Sequence, residues 1–448
     1  GIYVLTYHIL LGVLAVLACL FQIGGKNRKK DLIFLLIVFV ILATTSALRY
    51  STGYDYSYTY APGFEEVLNN PDISLFGHHY EPGYMLLEKI VAFFSSNYQM
   101  IFVVTSVLII GLFCINYAKY SSNIYLSVIL FVLLSEYYCS MNFIRQTIAG
   151  VIALFTIPFL KKKKFLPYLL IVLVASTFHK SALILIPFFF INLIPLTKIV
   201  FVIYCAVTAV LYFNTEHIIN FVTQYWYQGY QLESVHVQAT FEWPFAVAML
   251  IEFLIVFLGA SKLTKKDKSN YVYVNYAFFA FFFTLMGTRH SILDRLSVYF
   301  EFAFPLSIPL LYTCLKESFP SWWSLFDKHP EEKENRKNAA VTAGFLAFVL
   351  CGGLAIHQYA LTMDHHGVVP YRCILNQPFY QEYLENLENS QEEPAEPVED
   401  EEPVIEEPVD TPPSETSTQP ETTAPEEGNE LPDQTDVPEG MPMEVPLS

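Results

Sequence analysis

Charged residues are scarce in this chain of 448 residues. Asp, Glu, Lys and Arg together make up 15% of it, whereas hydrophobic residues make up 53%. The mean hydropathy is +0.37. A soluble domain carries more charge than this, so the composition indicates a membrane protein.

Basic residues are absent from the C-terminal end. From Gln381 onward the sequence has 22 Asp and Glu but no Lys or Arg, which leaves 21 acids and 26 bases before it. The formal net charge of −17 therefore combines a mildly basic domain with an acidic tail. Pro, Ser, Thr and acids dominate that tail, so we predict a disordered spacer. We place the membrane domain at 1–375 and the tail at 376–448.

A disulfide framework and a metal-ligand pattern are also lacking. The seven cysteines lie mostly in apolar runs, where they act as small buried hydrophobic residues. His78 and His79 are adjacent, so their side chains point apart, and no second group of ligands accompanies them. The sequence predicts neither a metal site nor a cofactor.

Long apolar runs are the main feature that is present. Residues 2–23 and 32–48 can each cross a hydrocarbon core of about 30 Å at about 1.5 Å per residue. The first run lacks a basic start and a cleavage site, so we expect a membrane span and not a cleavable signal. We predict an all-α, polytopic integral membrane protein of about twelve transmembrane helices, at 2–23, 32–48, 99–118, 124–140, 142–160, 165–178, 181–195, 198–213, 244–260, 271–286, 296–315 and 339–361.

Lysines fall in alternate loops, and this pattern predicts the topology. Basic loops mark the cytoplasmic side. The cytoplasmic set is 24–31, 119–123, 161–164, 196–198, 261–270 and 316–338. The external set is 49–98, the turns near 140 and 179, 214–243, 287–295 and everything after 361. This model places the acidic tail outside the cell.

Residues 165–195 form an unusually short hairpin. Two full crossings need about 40 residues, but only 31 are present around the turn Phe178-His179-Lys180-Ser181-Ala182. We therefore expect His179 to lie in a cavity below the outer surface, because irregular backbone at membrane depth must line protein or water. The alternative is a structural, hydrogen-bonded histidine.

The remaining polar motifs lie at the predicted outer ends of spans. Each has a structural alternative: an interfacial tyrosine belt, an arginine that snorkels, or an arginine paired with Asp294 or Glu301. In the motif at 142–146, Asn142, Arg145 and Gln146 share one helix face. Guanidinium groups bind phosphate with two donors, and His or carboxylate groups act as general bases. The external set contains Arg49, Arg145, Arg289, Arg295, Asp55, Glu81 and His179. Several arginines in one outward cavity indicate a site for a pyrophosphate or an acidic sugar.

Several of these motifs resemble those of the EpsG family, which contains Wzy-type polymerases of bacterial exopolysaccharide and capsule. The resemblance covers roughly residues 1–375. It is carried by RY…G.DY at 49–56, EPGY at 81–84, NFIRQ at 142–146, FHKSA at 178–182 and the later Arg295, Tyr299 and Phe300. The acidic tail departs from the family pattern, as does Thr52, where Val is more familiar.

The resemblance implies a metal-independent enzyme similar to the lipid-dependent membrane glycosyltransferases. It would join repeat units carried on undecaprenyl pyrophosphate at the outer face of the bacterial cytoplasmic membrane. Expected partners are these glycan substrates, the bilayer, and chain-length regulator and flippase proteins, but no nucleic acid. For catalysis we predict His179, Asp55 and Glu81; for pyrophosphate and substrate binding Arg49, Arg145, Gln146, Asn142, Arg289 and Arg295; for sugar stacking Tyr50, Tyr54, Tyr56 and Tyr84.

Two other functions are open at this point. A flippase or transporter of polysaccharide units needs a polar route through the spans, but their cytoplasmic halves are uniformly apolar. A glycan acyltransferase needs a cytoplasmic entrance for acyl-CoA, but only lysine-rich loops are found there. Both arguments favour the polymerase.

Overall fold

A computed structural model describes residues 2–376, except 24, 26, 77–79, 218, 221–242 and 318–329. The structure is 81% helical, with no strand among these residues, so the all-α prediction is confirmed. The described residues form one compact unit. His78, His79, most of the external loop 214–243 and the acidic tail lie outside the described residues.

The N-terminal half consists of apolar helices joined by short connections. Asn27 and Asn123 begin two of these helices, and each side chain accepts a hydrogen bond from a backbone N–H in the first turn. The helices are α1 (Ile2–Gln22), α2 (Arg28–Ala47), α3 (Ala61–Asn69), α4 (Pro82–Phe94), α5 (Gln99–Tyr120), α6 (Ile124–Leu133), α7 (Glu136–Asn142), α8 (Ile144–Leu154) and α9 (Ile157–Lys161). A π-helix (Tyr56–Tyr60) precedes α3.

The C-terminal half continues with shorter and more often interrupted helices. They are α10 (Phe165–Ser176), α11 (Leu185–Ile191), α12 (Lys198–Phe213), α13 (Trp243–Leu258), α14 (Ala260–Lys266), α15 (Tyr271–Gly287), α16 (Ser291–Asp294), α17 (Val298–Glu301), α18 (Phe304–Glu317) and α19 (Pro330–Thr362). Short 3-10 helices are Lys180–Ile184, Lys268–Asn270, Arg295–Ser297 and Ile374–Asn376.

The helices are those of a multi-pass membrane protein. By length and composition, five described helices could cross a membrane, or up to eight if each bent pair counts as one span. The bent pairs are α6 with α7, α13 with α14, and Ser291–Glu301 with Phe304–Lys316. The predicted count of twelve is not confirmed, because several predicted spans fall on helices shorter than 18 residues, among them α10 and α12.

The hairpin predicted at 165–195 is short in the structure. Its first arm, α10, has 12 residues, which corresponds to a length of about 18 Å. A 3-10 turn (Lys180–Ile184) follows His179, and the second arm, α11, has only seven residues. Neither arm alone matches the thickness of a hydrocarbon core of about 30 Å.

Loops of the predicted external set contact one another. The backbone N–H of Gly53 donates to the carbonyl of Gly367 at 2.7 Å, and that of Tyr50 donates to the carbonyl of Arg372 at 2.9 Å. The segment after α19 thus packs on the motif that follows α2. Gly53 has φ +98, and a Cβ there would lie 2.7 Å from the carbonyl oxygen of Met141, so only glycine fits without strain.

Loops of the predicted cytoplasmic set also contact one another. Lys161 Nζ donates to Asn270 Oδ1 at 2.7 Å, and Thr313 Oγ1 donates to Ser122 Oγ at 3.1 Å. These contacts join the ends of helices that the lysine pattern assigns to the same side. The assignment of these ends to the cytoplasmic side stays a prediction.

The outward ends of α4 and α10 meet at a glycine. Gly83 lies in the first turn of α4, and its N–H donates to the carbonyl of Thr177 at 2.7 Å. A Cβ at Gly83 would lie 2.4 Å from Thr177 Oγ1 and 2.8 Å from the Thr177 carbonyl oxygen. The close approach positions Glu81 beside the turn that holds His179.

Replacing Gly83 with alanine should separate α4 from the hairpin. We expect Gly83→Ala to lower the thermal stability of the purified protein, because overpacking costs about 1–3 kcal/mol. Gly344→Ala is the matched control, since Gly344 is also helical and no atom lies within 4 Å of a Cβ built there. Equal melting temperatures for both variants would show that the contact is not required.

The predicted topology can be tested by labelling single cysteines in a cysteine-free background. Lys163 and Tyr58 are both exposed, and the lysine pattern puts them on opposite sides. A membrane-impermeant maleimide added to intact cells should label Tyr58→Cys and Asn386→Cys but not Lys163→Cys. Labelling of Lys163→Cys without cell lysis would contradict the alternation.

Candidate active site

Glu81 connects three separate elements. One carboxylate oxygen, Oε2, pairs with Arg145 Nη1 at 2.7 Å, and the other, Oε1, accepts from the backbone N–H of Lys180 at 3.0 Å. Glu81 immediately precedes α4, Arg145 lies in the first turn of α8, and Lys180 begins the 3-10 turn of the hairpin. Since both oxygens have protein donors, Glu81 is suited to hold Arg145 and the hairpin in place.

His179 is the start of a short chain of hydrogen bonds. Its Nδ1 lies 2.6 Å from Ser181 Oγ, and Ser181 Oγ lies 2.7 Å from Tyr299 Oη. The pKa of His179 is lowered to about 4, mainly by burial; Glu81 opposes this shift, and Arg145 and Arg295 add to it. The imidazole is therefore neutral near neutral pH, as a general base must be.

Two arginines, Arg145 and Arg295, act electrostatically on His179. The Arg145 guanidinium stacks over the ring of Tyr80 with its Cζ 4.7 Å from the ring centre, and its Nε is buried without a hydrogen-bond partner. Arg295 is exposed, with its Cζ 5.4 Å from the ring centre of Phe143. The exposed guanidinium of Arg295 is the one of the two that is open to an anion.

Asn142 and Gln146 fix neighbouring backbone. Asn142 Oδ1 accepts from the N–H of Asp55 at 3.0 Å, and the Gln146 side chain donates to the carbonyl of Arg295. Both residues are buried, so they position the groups beside them and do not face a ligand. The half-buried Asp55 is brought to the outer start of α8 by this contact.

Two predicted arginines are not part of this cluster. Arg49 is 1% exposed, and its Nη1 donates to Ser46 Oγ at 2.9 Å and Ser106 Oγ at 3.0 Å. Arg289 pairs with Glu216 at 3.3 Å at the outer end of α12. We therefore do not retain pyrophosphate binding for either residue. Arg49 is buried and cannot reach a ligand, and Arg289 pairs with a carboxylate outside the cluster.

The four predicted sugar-stacking tyrosines divide into two pairs. Tyr56 is buried and stacks on Phe102 at 3.8 Å, and Tyr84 is buried against the ring of Tyr80. Their ring faces are covered by protein, so sugar stacking is not retained for them. Tyr54 is exposed, and Tyr50 is half-buried. Only these two could meet a sugar ring.

Sequence reasoning missed several polar residues near the cluster. Tyr299 was noted only as part of the family pattern, but its hydroxyl completes the chain from His179. Glu136 and Glu252 are buried carboxylates within apolar helices. A single acid within an apolar run is the signal that could have found them, because such residues are costly and usually functional.

Comparisons with known proteins identify the family of this chain. No curated protein and no solved structure matches the chain. The model of the EpsG family matches residues 32–321, a stretch that includes Glu81, Arg145, His179 and Arg295. The chain therefore belongs to the EpsG family, whose members are associated with exopolysaccharide biosynthesis in the membrane.

Proposed function

We propose that this protein polymerises oligosaccharide repeat units carried on undecaprenyl pyrophosphate into extracellular or capsular polysaccharide. The reaction takes place at the outer face of the bacterial cytoplasmic membrane. The observation that carries the proposal is the set of contacts around Glu81, which pairs with Arg145 at 2.7 Å and accepts from the N–H of Lys180, next to His179, while the neighbouring Gln146 donates to the carbonyl of Arg295. A base beside an anion-binding pair is what glycosyl transfer from a pyrophosphate requires.

The chemistry follows from the roles of these groups. The donor is a glycan on lipid pyrophosphate, and the acceptor is a hydroxyl of a second lipid-linked unit. His179 Nε2 takes the proton while the acceptor oxygen bonds to the anomeric carbon. The bond from that carbon to the pyrophosphate oxygen breaks, and its electron pair leaves with the pyrophosphate. Arg145 and Arg295 stabilise the added charge.

Ser181 and Tyr299 act as positioning residues. When Nδ1 carries the imidazole proton, it donates to Ser181 Oγ, and the lone pair is then on Nε2. The Tyr299 hydroxyl holds Ser181 in turn. Glu81 positions Arg145, so we do not retain it as a candidate base, and His179 stays the first candidate. Asp55 is second in order.

The two alternatives have less support. A transporter needs polar groups along the whole route, but the described polar cluster joins loops of the external set only. An acyltransferase needs a comparable cluster on the opposite side. Chain-length regulator and flippase proteins remain proposed partners, and we propose that the tail is extracellular.

Replacing Arg145 with lysine should separate anion binding from simple charge. Lysine keeps the positive charge but loses the planar pair of donors. We expect Arg145→Lys to reduce polymer formed from lipid-linked repeat units by about tenfold or more. Arg289→Lys is the matched control and should retain activity, since Arg289 lies outside the cluster. Equal activity of both variants would show that Arg145 has a structural role and does not bind the anion.

The pH dependence of polymerisation should identify the general base. Because the pKa of His179 is lowered to about 4, His179 is deprotonated above that pH, and kcat/KM should fall as the pH drops through about 4. His179→Gln cannot accept a proton and should lose about 10²–10⁴-fold in rate. It should still bind lipid-linked repeat units.

The same assay can also contradict the assignment of His179 as the base. If His179→Gln polymerises at the normal rate with an unchanged acid limb, another group is the base. Asp55→Asn is the variant that would then be measured in the same way.

A further inference from the structure

A basic cavity lies at helix ends that the lysine pattern assigns to the cytoplasmic side. It has a volume of about 320 Å³ and is formed by the ends of α5 and α8, by α9, by the 3-10 helix Lys268–Asn270 and by the first turns of α15 and α18. Pockets for small ligands usually measure about 300–1,000 Å³, so the space is sufficient for a lipid headgroup.

Positive charge dominates the lining of this cavity. Lys119, Lys161 and Lys162 contribute three ammonium groups, against one carboxylate from Asp267. Lys119 and Lys162 are exposed, and no carboxylate among the described residues pairs with either of them. A further cation is near, because the Arg28 guanidinium donates at 2.7 Å to the carbonyl of the residue before Lys119. The cavity therefore attracts an anion.

Lys161 is held in place by buried partners. Its Nζ donates to Asn270 Oδ1 at 2.7 Å and lies 5.3 Å from the centre of the Tyr273 ring. Asn270 is itself buried, and its side-chain amide donates to the carbonyl of Leu263 at 2.9 Å. This ammonium group is thus part of the wall of the cavity, whereas a lysine that only marks the cytoplasmic side extends freely into water.

The carboxylate of Asp267 is directed towards its own turn. Its Oδ1 accepts from the N–H of Ser269 at 2.9 Å and from the Ser269 hydroxyl at 2.8 Å. These hydrogen bonds lower the pKa of Asp267, so the group stays ionised. Its Oδ2 lies 3.9 Å from Lys161 Nζ and offsets part of that charge. Lys119 and Lys162 are left as the cations that are open to a ligand.

Apolar groups lie directly beside the charged ones. Leu154, Ile157 and Leu306 form the buried wall of the cavity. Ile115 precedes Lys119 by one turn on the same face of α5 and is 47% exposed. Cations at a helix end above an exposed apolar face match a phospholipid, whose phosphate adjoins its acyl chains. A free phosphate makes no use of such a face.

We infer that this cavity binds the phosphate of an anionic phospholipid of the surrounding membrane. Lys119 and Lys162 contact the phosphate, and the acyl chains follow the exposed face of α5. Basic pockets between the cytoplasmic ends of membrane helices suit such headgroups. The bound lipid joins the ends of α5, α9 and α15 and so stabilises the fold. This site is independent of the proposed polymerase, because no residue of the candidate active site lines it.

The first test measures the melting temperature of the full-length wild-type protein in an uncharged detergent. Dioleoyl phosphatidylglycerol, dioleoyl phosphatidylcholine and inorganic phosphate are titrated separately at constant ionic strength. We expect phosphatidylglycerol to stabilise the protein at concentrations about tenfold lower than phosphatidylcholine, because only the former carries a net negative charge. Inorganic phosphate should have no effect in the same range. Equal effects of the two lipids, or of phosphate and phosphatidylglycerol, would overturn the inference.

Two matched double variants then locate the lipid. Lys119→Gln with Lys162→Gln removes two charges that line the cavity, whereas Lys163→Gln with Lys164→Gln removes two charges of the same lysine-rich segment that do not. All four lysines are exposed, so both proteins should melt like the wild type without lipid. The first pair should weaken the effect of phosphatidylglycerol about tenfold, and the second less than about twofold. Equal losses would assign binding to general surface charge and contradict a defined site.

Replacing Asp267 with asparagine should have the opposite effect. Asp267→Asn keeps an oxygen that can accept from the N–H of Ser269 but removes the negative charge from the cavity. We expect phosphatidylglycerol to bind about fivefold more tightly, since one charge near a membrane surface contributes about that factor. Native mass spectrometry reads this directly as the fraction of protein that retains lipid. Unchanged or weaker retention by the folded variant would contradict a phosphate beside Asp267.

Discussion

The ion pair between Glu81 and Arg145 holds the candidate active site together. It joins the start of α4, the start of α8 and, through the second Glu81 oxygen, the turn after His179. Both side chains are largely buried, at 7% and 17% exposed. Removing one partner of a buried pair costs about 3–5 kcal/mol, because the other charge is left uncompensated. The geometry around His179 therefore depends on Glu81 even though Glu81 has no free oxygen to act as a base.

Sequence periodicity and hydropathy could predict the helices and the grouping of their ends. Each of α1, α2 and α5 follows an apolar run, and the short hairpin follows from a shortage of residues around His179. The pairing of Arg145 with Glu81 could not be predicted, because it depends on a contact between the residue before α4 and the first turn of α8, which are 64 positions apart. The predicted count of twelve spans relied on apolar length alone, which does not detect a bend such as the one at Ser135.

The site residues that the sequence misassigned were misassigned for one physical reason, which is burial. Arg49, Tyr56 and Tyr84 lie in motifs rich in polar and aromatic residues, where sequence cannot distinguish exposure from burial. The segment after α19 returns to cover the end of α2, through Tyr50 and the carbonyl of Arg372. That contact spans more than 300 positions, so no local pattern reveals it. In contrast, Gly83 and Gly53 were visible in the sequence, and their roles became clear only from the backbone that approaches them.

The fixed charges of the candidate site are held by contacts between separate elements. Arg145 pairs with Glu81 at 2.7 Å, and the Gln146 side chain donates to the carbonyl of Arg295, so both arginines are tied to the start of α8. In the polymerase that we propose, these two guanidinium groups bind the pyrophosphate of the lipid-linked donor beside His179. Binding of the leaving group and its alignment with the base then depend on the same contacts at the start of α8.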